Sequence, residues 1–297
     1  MSTTLVFDHL TKRFGTTTAV EDLTATVRPG RVTGFLGPNG AGKTTSLRML
    51  LGLVRPTSGS ATFDGRPYDQ LREPVREVGT LLEATGFHPG RRARDHLRVL
   101  AVAARLPAGR PDEVLEQVEL SDSAARTVGG FSLGMRQRLG LAAALLGDPP
   151  VLVLDEPANG LDPQGIRWLR GFLRQLAGEG RTVLVSSHVL PEVEQTADDV
   201  LVLAGGRLVR QGTLADLGAG TPTTTVVRSP DAARLAELLA AAGLPGTWGG
   251  PEELRVDAPP ERVGEVAAQH GVVLHRLGGA QGGLEDVFLQ LTREGRR

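Results

Sequence analysis

Short stretches of apolar residues interspersed with polar ones over 5–10, 19–27, 31–36 and 60–65 predict strands, the first pairs broken by Gly15 and by Pro29-Gly30 into an antiparallel start. From Gly42 the pattern becomes helical. Leu47, Leu50 and Leu51 fall on one helical face, and Gly52 ends the run. Helical periods recur over 94–106, 112–119 and 133–147, inside a block (93–147) without strand signals, so a helical subdomain is expected there. Beyond it, strand 151–154, helix 163–178, strand 182–186, helix 189–197 and strands 199–204 and 207–212 alternate, which predicts a parallel sheet with covered faces. The first domain is expected to occupy 1–217. A linker-like run, Gly218-Ala-Gly-Thr-Pro-Thr-Thr-Thr225, leads into strand 223–228, helix 231–242, a weak strand near Trp248, strand 253–257, helix 260–269 and strand 272–277. That β-α-β-β-α-β order predicts a small α+β domain over 223–297, ferredoxin-like in type.

Composition narrows the possibilities. The chain of 297 residues is long enough for one large core with a smaller domain beside it. A net charge of −1 gives no electrostatic footprint for wrapping nucleic acid. Lysine occurs only at Lys12 and Lys43, so Lys43 stands out among otherwise arginine cations. Without cysteine there is neither a disulfide nor a thiolate metal site, in keeping with a reducing, cytoplasmic compartment. The N-terminal residues have no basic and apolar regions of an export signal. The most apolar run, Leu139–Leu146, is far shorter than the ~20 residues a membrane helix needs.

Two segments carry chemistry. Gly37, Pro38, Asn39, Gly40, Ala41, Gly42, Lys43 and Thr44, with Thr45 following, fit G-x-x-x-x-G-K-[ST] between a strand and a helix. In that setting the glycines let backbone N–H groups and the helix N-terminus converge on phosphate oxygens, Lys43 adds a point charge, and Thr44 offers a hydroxyl to Mg²⁺. The apolar run Val151-Leu-Val-Leu154 ends in Asp155-Glu156-Pro157, placing two carboxylates where open α/β sheets bind ligands. Alone, such a pair is usually a solvated turn. Beside a phosphate loop, Asp155 is expected at Mg²⁺, through water or from behind the direct ligands, and Glu156 at the water that attacks a γ-phosphate. Ser132 is placed to cap a helix carrying Met135, Leu139, Ala142 and Leu146 on its face.

The order of these motifs, with Phe131-Ser-Leu-Gly-Met-Arg-Gln-Arg138 ahead of the carboxylate pair, resembles the nucleotide-binding subunit of an ATP-binding cassette (ABC) transporter over residues 5–217. The resemblance implies an α/β P-loop NTPase fold with a mixed or parallel sheet core, an antiparallel β edge and a helical subdomain. It implies Mg-ATP hydrolysis in a homodimer, where Ser132, Gly134 and Met135 act in trans on nucleotide held by the partner's loop. Asn159-Gly-Leu-Asp162 is similar to the loop that crosses the dimer interface. His188, after Val183-Leu-Val-Ser-Ser187, is similar to the switch histidine, a neutral imidazole that could donate to the γ-phosphate while holding Glu156 and the water. Phe14 lies where the family stacks an aromatic on adenine. At the strand end joining the subdomains, where the family has glutamine, Val78-Gly-Thr-Leu-Leu-Glu83 supplies Glu83, a carboxylate still able to ligate Mg²⁺.

Details of the Phe131–Arg138 and Asp155–Asp162 strings, the Glu83-Ala84 pair and Leu284-Glu-Asp-Val-Phe-Leu289 are similar to the drug- and antibiotic-export branch, including bacitracin- and daunorubicin-exporter-like ATPases. That branch implies a separate membrane permease, which would hold this chain at the inner face of the membrane. The C-terminal domain would then serve dimerisation or regulation. Two alternatives stay open: a metabolite importer, and a soluble cassette ATPase acting on DNA, ribosomes or iron–sulfur assembly. Residues 45–131 lack the sustained heptads of chromosome-maintenance relatives, and a single cassette differs from the paired cassettes of ribosome-acting ones.

Overall fold

The computed structural model describes residues 3–82, 86–214, 216 and 224–279. The chain divides into two compact units, one running to Leu214 and the other over Ala215–Gln290. In the first unit, β1 (Leu5–Phe14), β2 (Thr17–Val27) and β4 (Ser58–Phe63) form an antiparallel sheet of order β2-β1-β4. Gly15, at φ +57°, makes the tight reversal between β1 and β2, which carries β1 four residues past the end expected at 10.

A six-stranded sheet holds the centre. Its order is β5-β6-β7-β3-β8-β9, from β5 (Val78–Leu81), β6 (Val151–Asp155), β7 (Thr182–Ser187), β3 (Val32–Leu36), β8 (Asp199–Ala204) and β9 (Arg207–Thr213). All neighbours are parallel except β8 and β9, so the sheet is mixed with one antiparallel edge. Every residue of β3 and β6 is buried, in keeping with the unbroken apolar run Val151–Leu154 of β6. The two sheets face each other across one core, where the Phe7 and Phe35 rings stack at 6.1 Å and Leu47 and Leu50 of α1 (Lys43–Leu50) pack beside them.

Periodicity missed α2 (Pro74–Glu77) and β5 because each has four residues. Gly79, a residue that ordinarily argues against a strand, is required in β5: a Cβ there would lie 2.1 Å from the Ala144 carbonyl oxygen. The helical block consists of α3 (Ala93–Ala103), α4 (Arg110–Gln117) and α5 (Leu133–Leu145). Helices α6 (Pro163–Gly178) and α7 (Leu190–Thr196) complete this unit. Among the described residues no helix is long and apolar enough to cross a membrane.

In the second unit, β10 (Thr224–Arg228), α8 (Ala232–Ala241), β11 (Gly246–Gly250), β12 (Glu253–Asp257), α9 (Pro260–Gln269) and β13 (Arg276–Gly279) follow in turn. The sheet order is β11-β12-β10-β13, antiparallel throughout, the arrangement of a ferredoxin-like fold. The strand expected at 272–277 begins at Arg276 instead. Gly271 turns the chain at φ +64° after α9, and Val272 drops into the core between Val263 and Ala267 rather than joining the sheet. Leu235 is fully buried in that nine-residue core. Leu235→Ala is expected to cost about 2–5 kcal/mol, read from the midpoint of denaturant unfolding with the m-value unchanged.

Candidate functional site

Residues 37–42 link the end of β3 to the start of α1 and form a concave loop. Gly40 and Gly42 take φ of +80° and +99°, and a Cβ on Gly42 would meet the Ala19 carbonyl oxygen at 2.5 Å, so position 42 requires glycine twice over. The unpaired N–H groups of the first turn of α1 face this concavity, a favourable place for an anion. Lys43, only 6% exposed, folds back so that its Nζ donates to the carbonyl oxygens of Gly37 at 2.6 Å and Pro38 at 3.4 Å. Burial pulls its pKa below the usual lysine value, and the nearby Glu156 and Asp155 charges oppose that pull. Thr44 Oγ1 donates to Asp155 Oδ2 at 2.7 Å, and Ser186 Oγ donates to the other oxygen of Asp155.

Strand β6 ends at Asp155, and the chain leaves it through Glu156 at φ +50°. The Glu156 N–H donates to Ser186 Oγ at 2.9 Å. Its carbonyl accepts twice, from the Asn159 N–H at 3.1 Å and from Gln137 Nε2 at 3.3 Å. The carboxylate bridges two groups: Oε1 lies 3.5 Å from Lys43 Nζ, and Oε2 lies 2.9 Å from His188 Nδ1. A neutral imidazole has one N–H, so a ring that donates through Nδ1 to Glu156 has only an acceptor at Nε2.

These groups line a cleft of about 320 Å³ bounded by Ala19, Asn39 to Thr45, Glu156, Asn159 and His188. Gly37 and Pro38 stand behind it as acceptors for Lys43. The other expected residues that are described lie away from the cleft. Ser132 caps α5 by accepting from the Met135 N–H at 3.2 Å, and Ser132, Gly134 and Met135 do not line the cleft. Asp162 caps α6, accepting from the Gly165 N–H at 2.7 Å. Phe14 is 52% exposed, with the Lys12 ammonium 4.8 Å from its ring centre. Glu83 lies outside the described residues, as do the 284–289 segment and most of the linker.

Sequence reasoning placed Asn159 in an interface loop rather than at this cleft, and it missed Ala19, Ser186 and Gln137. The last two left a signal, a polar residue in a buried stretch: Ser186 closes the apolar run of β7, and Gln137 shares a helical face with buried Leu141 and Ala144. No cluster of three or more His, Cys, Asp or Glu side chains able to hold a metal occurs among the described residues. Thr44 and Asp155 form the pair of hard oxygen donors beside the phosphate loop.

The turn carrying His188 has its own support. Ser187 Oγ accepts from the Val189 N–H at 3.0 Å and donates to Glu192 Oε2 at 3.1 Å. Burial, with the Glu156 charge, raises the Glu192 pKa, while the Ser187 hydrogen bond and His188 oppose the rise. A carboxyl raised in the folded state is neutral in both states below its unfolded pKa. Its ionisation then penalises folding increasingly up to the folded pKa and fully above it. Replacing Glu192 by Gln removes that penalty. The Tm of Glu192→Gln relative to wild type is therefore expected to be higher at about pH 8 than at about pH 4, and a pH-independent difference would contradict it.

A family model described as ABC transporter matches residues 20–159, and one described as a domain of unknown function (DUF8746) matches residues 223–285. The bacitracin transport ATP-binding protein BcrA of Bacillus licheniformis is 44% identical over 214 residues, covering 71% of this chain and 70% of that protein. BcrA of Enterococcus faecalis is 35% identical over 295 residues, covering 97% of this chain and 96% of that protein. A solved ATP-binding subunit of an ABC transporter aligns with a TM-score of 0.65 at 28% identity, over 72% of this chain and 91% of that one. With 35% identity to an ATP-binding protein over nearly its whole length, and a family model matching the segment from the phosphate loop to the carboxylate pair, the chain belongs to the ABC transporter family, among its ATP-binding proteins.

Proposed function

We propose that the cleft is the Mg-ATP site of a homodimeric ATPase that powers a separate membrane permease exporting an antibiotic, a drug or another hydrophobic compound. The observation that carries this is the Glu156 carboxylate held between Lys43 and His188 at the phosphate loop. The β- and γ-phosphates would lie over the first turn of α1, where the backbone N–H groups and Lys43 neutralise charge. A phosphate oxygen is a stronger acceptor for Lys43 than the Gly37 carbonyl it now uses. The attacking water would donate a proton to Glu156, with His188 fixing the far oxygen so that the near one faces the water in line with the γ-phosphate.

The pair Thr44 and Asp155 suits Mg²⁺, which takes one or two protein oxygens and completes its shell with phosphate and water. The ion would supply charge neutralisation on the β- and γ-oxygens. Ser132, Gly134 and Met135 head α5 away from the cleft of their own chain, in keeping with a role in the site of a second copy. The bacitracin transport relatives favour export, and a permease would then hold the chain at the inner membrane face. The second unit is proposed to support dimerisation or regulation.

Glu156→Gln is expected to lower kcat for ATP about 10²- to 10⁴-fold and to accumulate an ATP-bound dimer, read by phosphate release and light scattering. Unimpaired hydrolysis in that variant would sink the mechanism. Deleting 223–297 should weaken dimerisation or alter hydrolysis, and no change in either would leave the second unit without the proposed role.

A further inference from the structure

Gln137 is 4% exposed, and a buried amide is costly unless its hydrogen bonds are made. Its Nε2 reaches the carbonyl oxygen of Glu156 at 3.3 Å. With the Asn159 N–H on the same oxygen and Ser186 Oγ on the Glu156 N–H, the peptide groups on both sides of the Glu156 Cα are fixed. They fix a left-handed conformation that a non-glycine residue adopts only under constraint. Gln137 is the one of these partners that comes from α5, the helix headed by Ser132, Gly134 and Met135.

The head of α5 touches the same segment a second time. A Cβ on Gly160 would fall 2.0 Å from Leu133 Cδ2, and one on Gly134 would fall 3.3 Å from Leu161 Cδ2. The chain just after Glu156 is thus packed against the first turn of α5 while its carbonyl is held from the second turn. Contact in both places ties the aim of the carboxylate to the placement of this helix.

We propose that Gln137 is a positioning residue for hydrolysis: its amide, reaching from α5 to the Glu156 carbonyl, holds the carboxylate of its own chain against Lys43 and His188. The inference rests on the function proposed above. Each α5 then serves both half-sites of its chain, through its head on the partner's nucleotide and through Gln137 on its own Glu156.

Gln137→Met keeps the volume and removes the donor, and Gln137→Leu does the same with a stiffer side chain. Each is expected to lower kcat about 10- to 100-fold, the usual cost of a misplaced catalytic group, with KM for ATP within about twofold and the Tm close to wild type. Mixed dimers separate the two roles of the helix. A chain carrying both Gln137→Met and Glu156→Gln, paired with wild type, should hydrolyse as fast as a Glu156→Gln chain paired with wild type. A Gln137→Met chain paired with a Glu156→Gln chain should show the full loss. Wild-type kcat in the Gln137 variants, a loss only in step with loss of folded protein, or inhibition of the wild-type partner by the double variant would each overturn the proposal. Normal hydrolysis by Glu156→Gln alone would instead overturn the reading of the site on which it rests.

Discussion

At Glu156 the backbone leaves a fully buried strand with φ +50°, a conformation that costs a non-glycine residue about 1–3 kcal/mol, and the rest of the cleft is arranged around that turn. Three hydrogen bonds to the flanking peptide groups, worth about 0.5–1.5 kcal/mol each, are enough to offset the cost. The turn points the carboxylate back over the phosphate loop, where it meets Lys43 on one side and His188 on the other. An extended residue at this position would place its side chain on one face of the sheet. The strain is therefore tied to the chemistry, and the groups that hold it come from three elements: β7, α5 and the loop after β6.

Charge explains why such an arrangement needs further partners. Around the cleft Lys43 faces two carboxylates, Asp155 and Glu156, so within this chain the loop's N–H groups and one buried cation must meet a polyphosphate with negative groups already present. Burial makes each mismatch more expensive than it would be in water, as the lowered pKa of Lys43 indicates. A Mg²⁺ held by Thr44 and Asp155 would offset part of this imbalance. The head of a second copy's α5, with its unpaired N–H groups and positive helix end, is suited to the remainder.

The parts of the fold that were legible in the sequence are those where one physical requirement dominates. The apolar run of β6 is buried on both faces, and the loop between β3 and α1 must be glycine at 42, so both could be read from residue type. The structure brings Lys43, Thr44, Asp155 and Glu156, expected from their residue types and spacing, together with His188, expected only from the family resemblance. Illegible features depend on distant partners. β5 is marked by a glycine that only the approach of Ala144 explains, and Val272 leaves its expected strand because the core of the second unit takes it. Ser186 and Gln137 give no local sign of touching Glu156, since their separations of 30 and 19 residues are closed by the parallel sheet and the helical block. The tautomeric constraint at His188 likewise appears only when Nδ1 is seen facing Glu156.

Helix α5 reconciles two opposed demands. Its first residues, Ser132 and Leu133, are exposed, whereas Gln137, Leu139, Gly140, Leu141 and Ala142 behind them are buried. Gly140 lies so close to Leu81 that a Cβ would come within 2.5 Å, which seats the body of the helix on β5. A short helix packed this way has little freedom to bend, so a displacement at its exposed head is carried to its second turn rather than absorbed within it. There Gln137 holds the Glu156 carbonyl, in a conformation that relaxes if a restraint is lost. Communication between the head of α5 and the carboxylate can accordingly run through one turn of helix and one hydrogen bond, while the central sheet stays as it is.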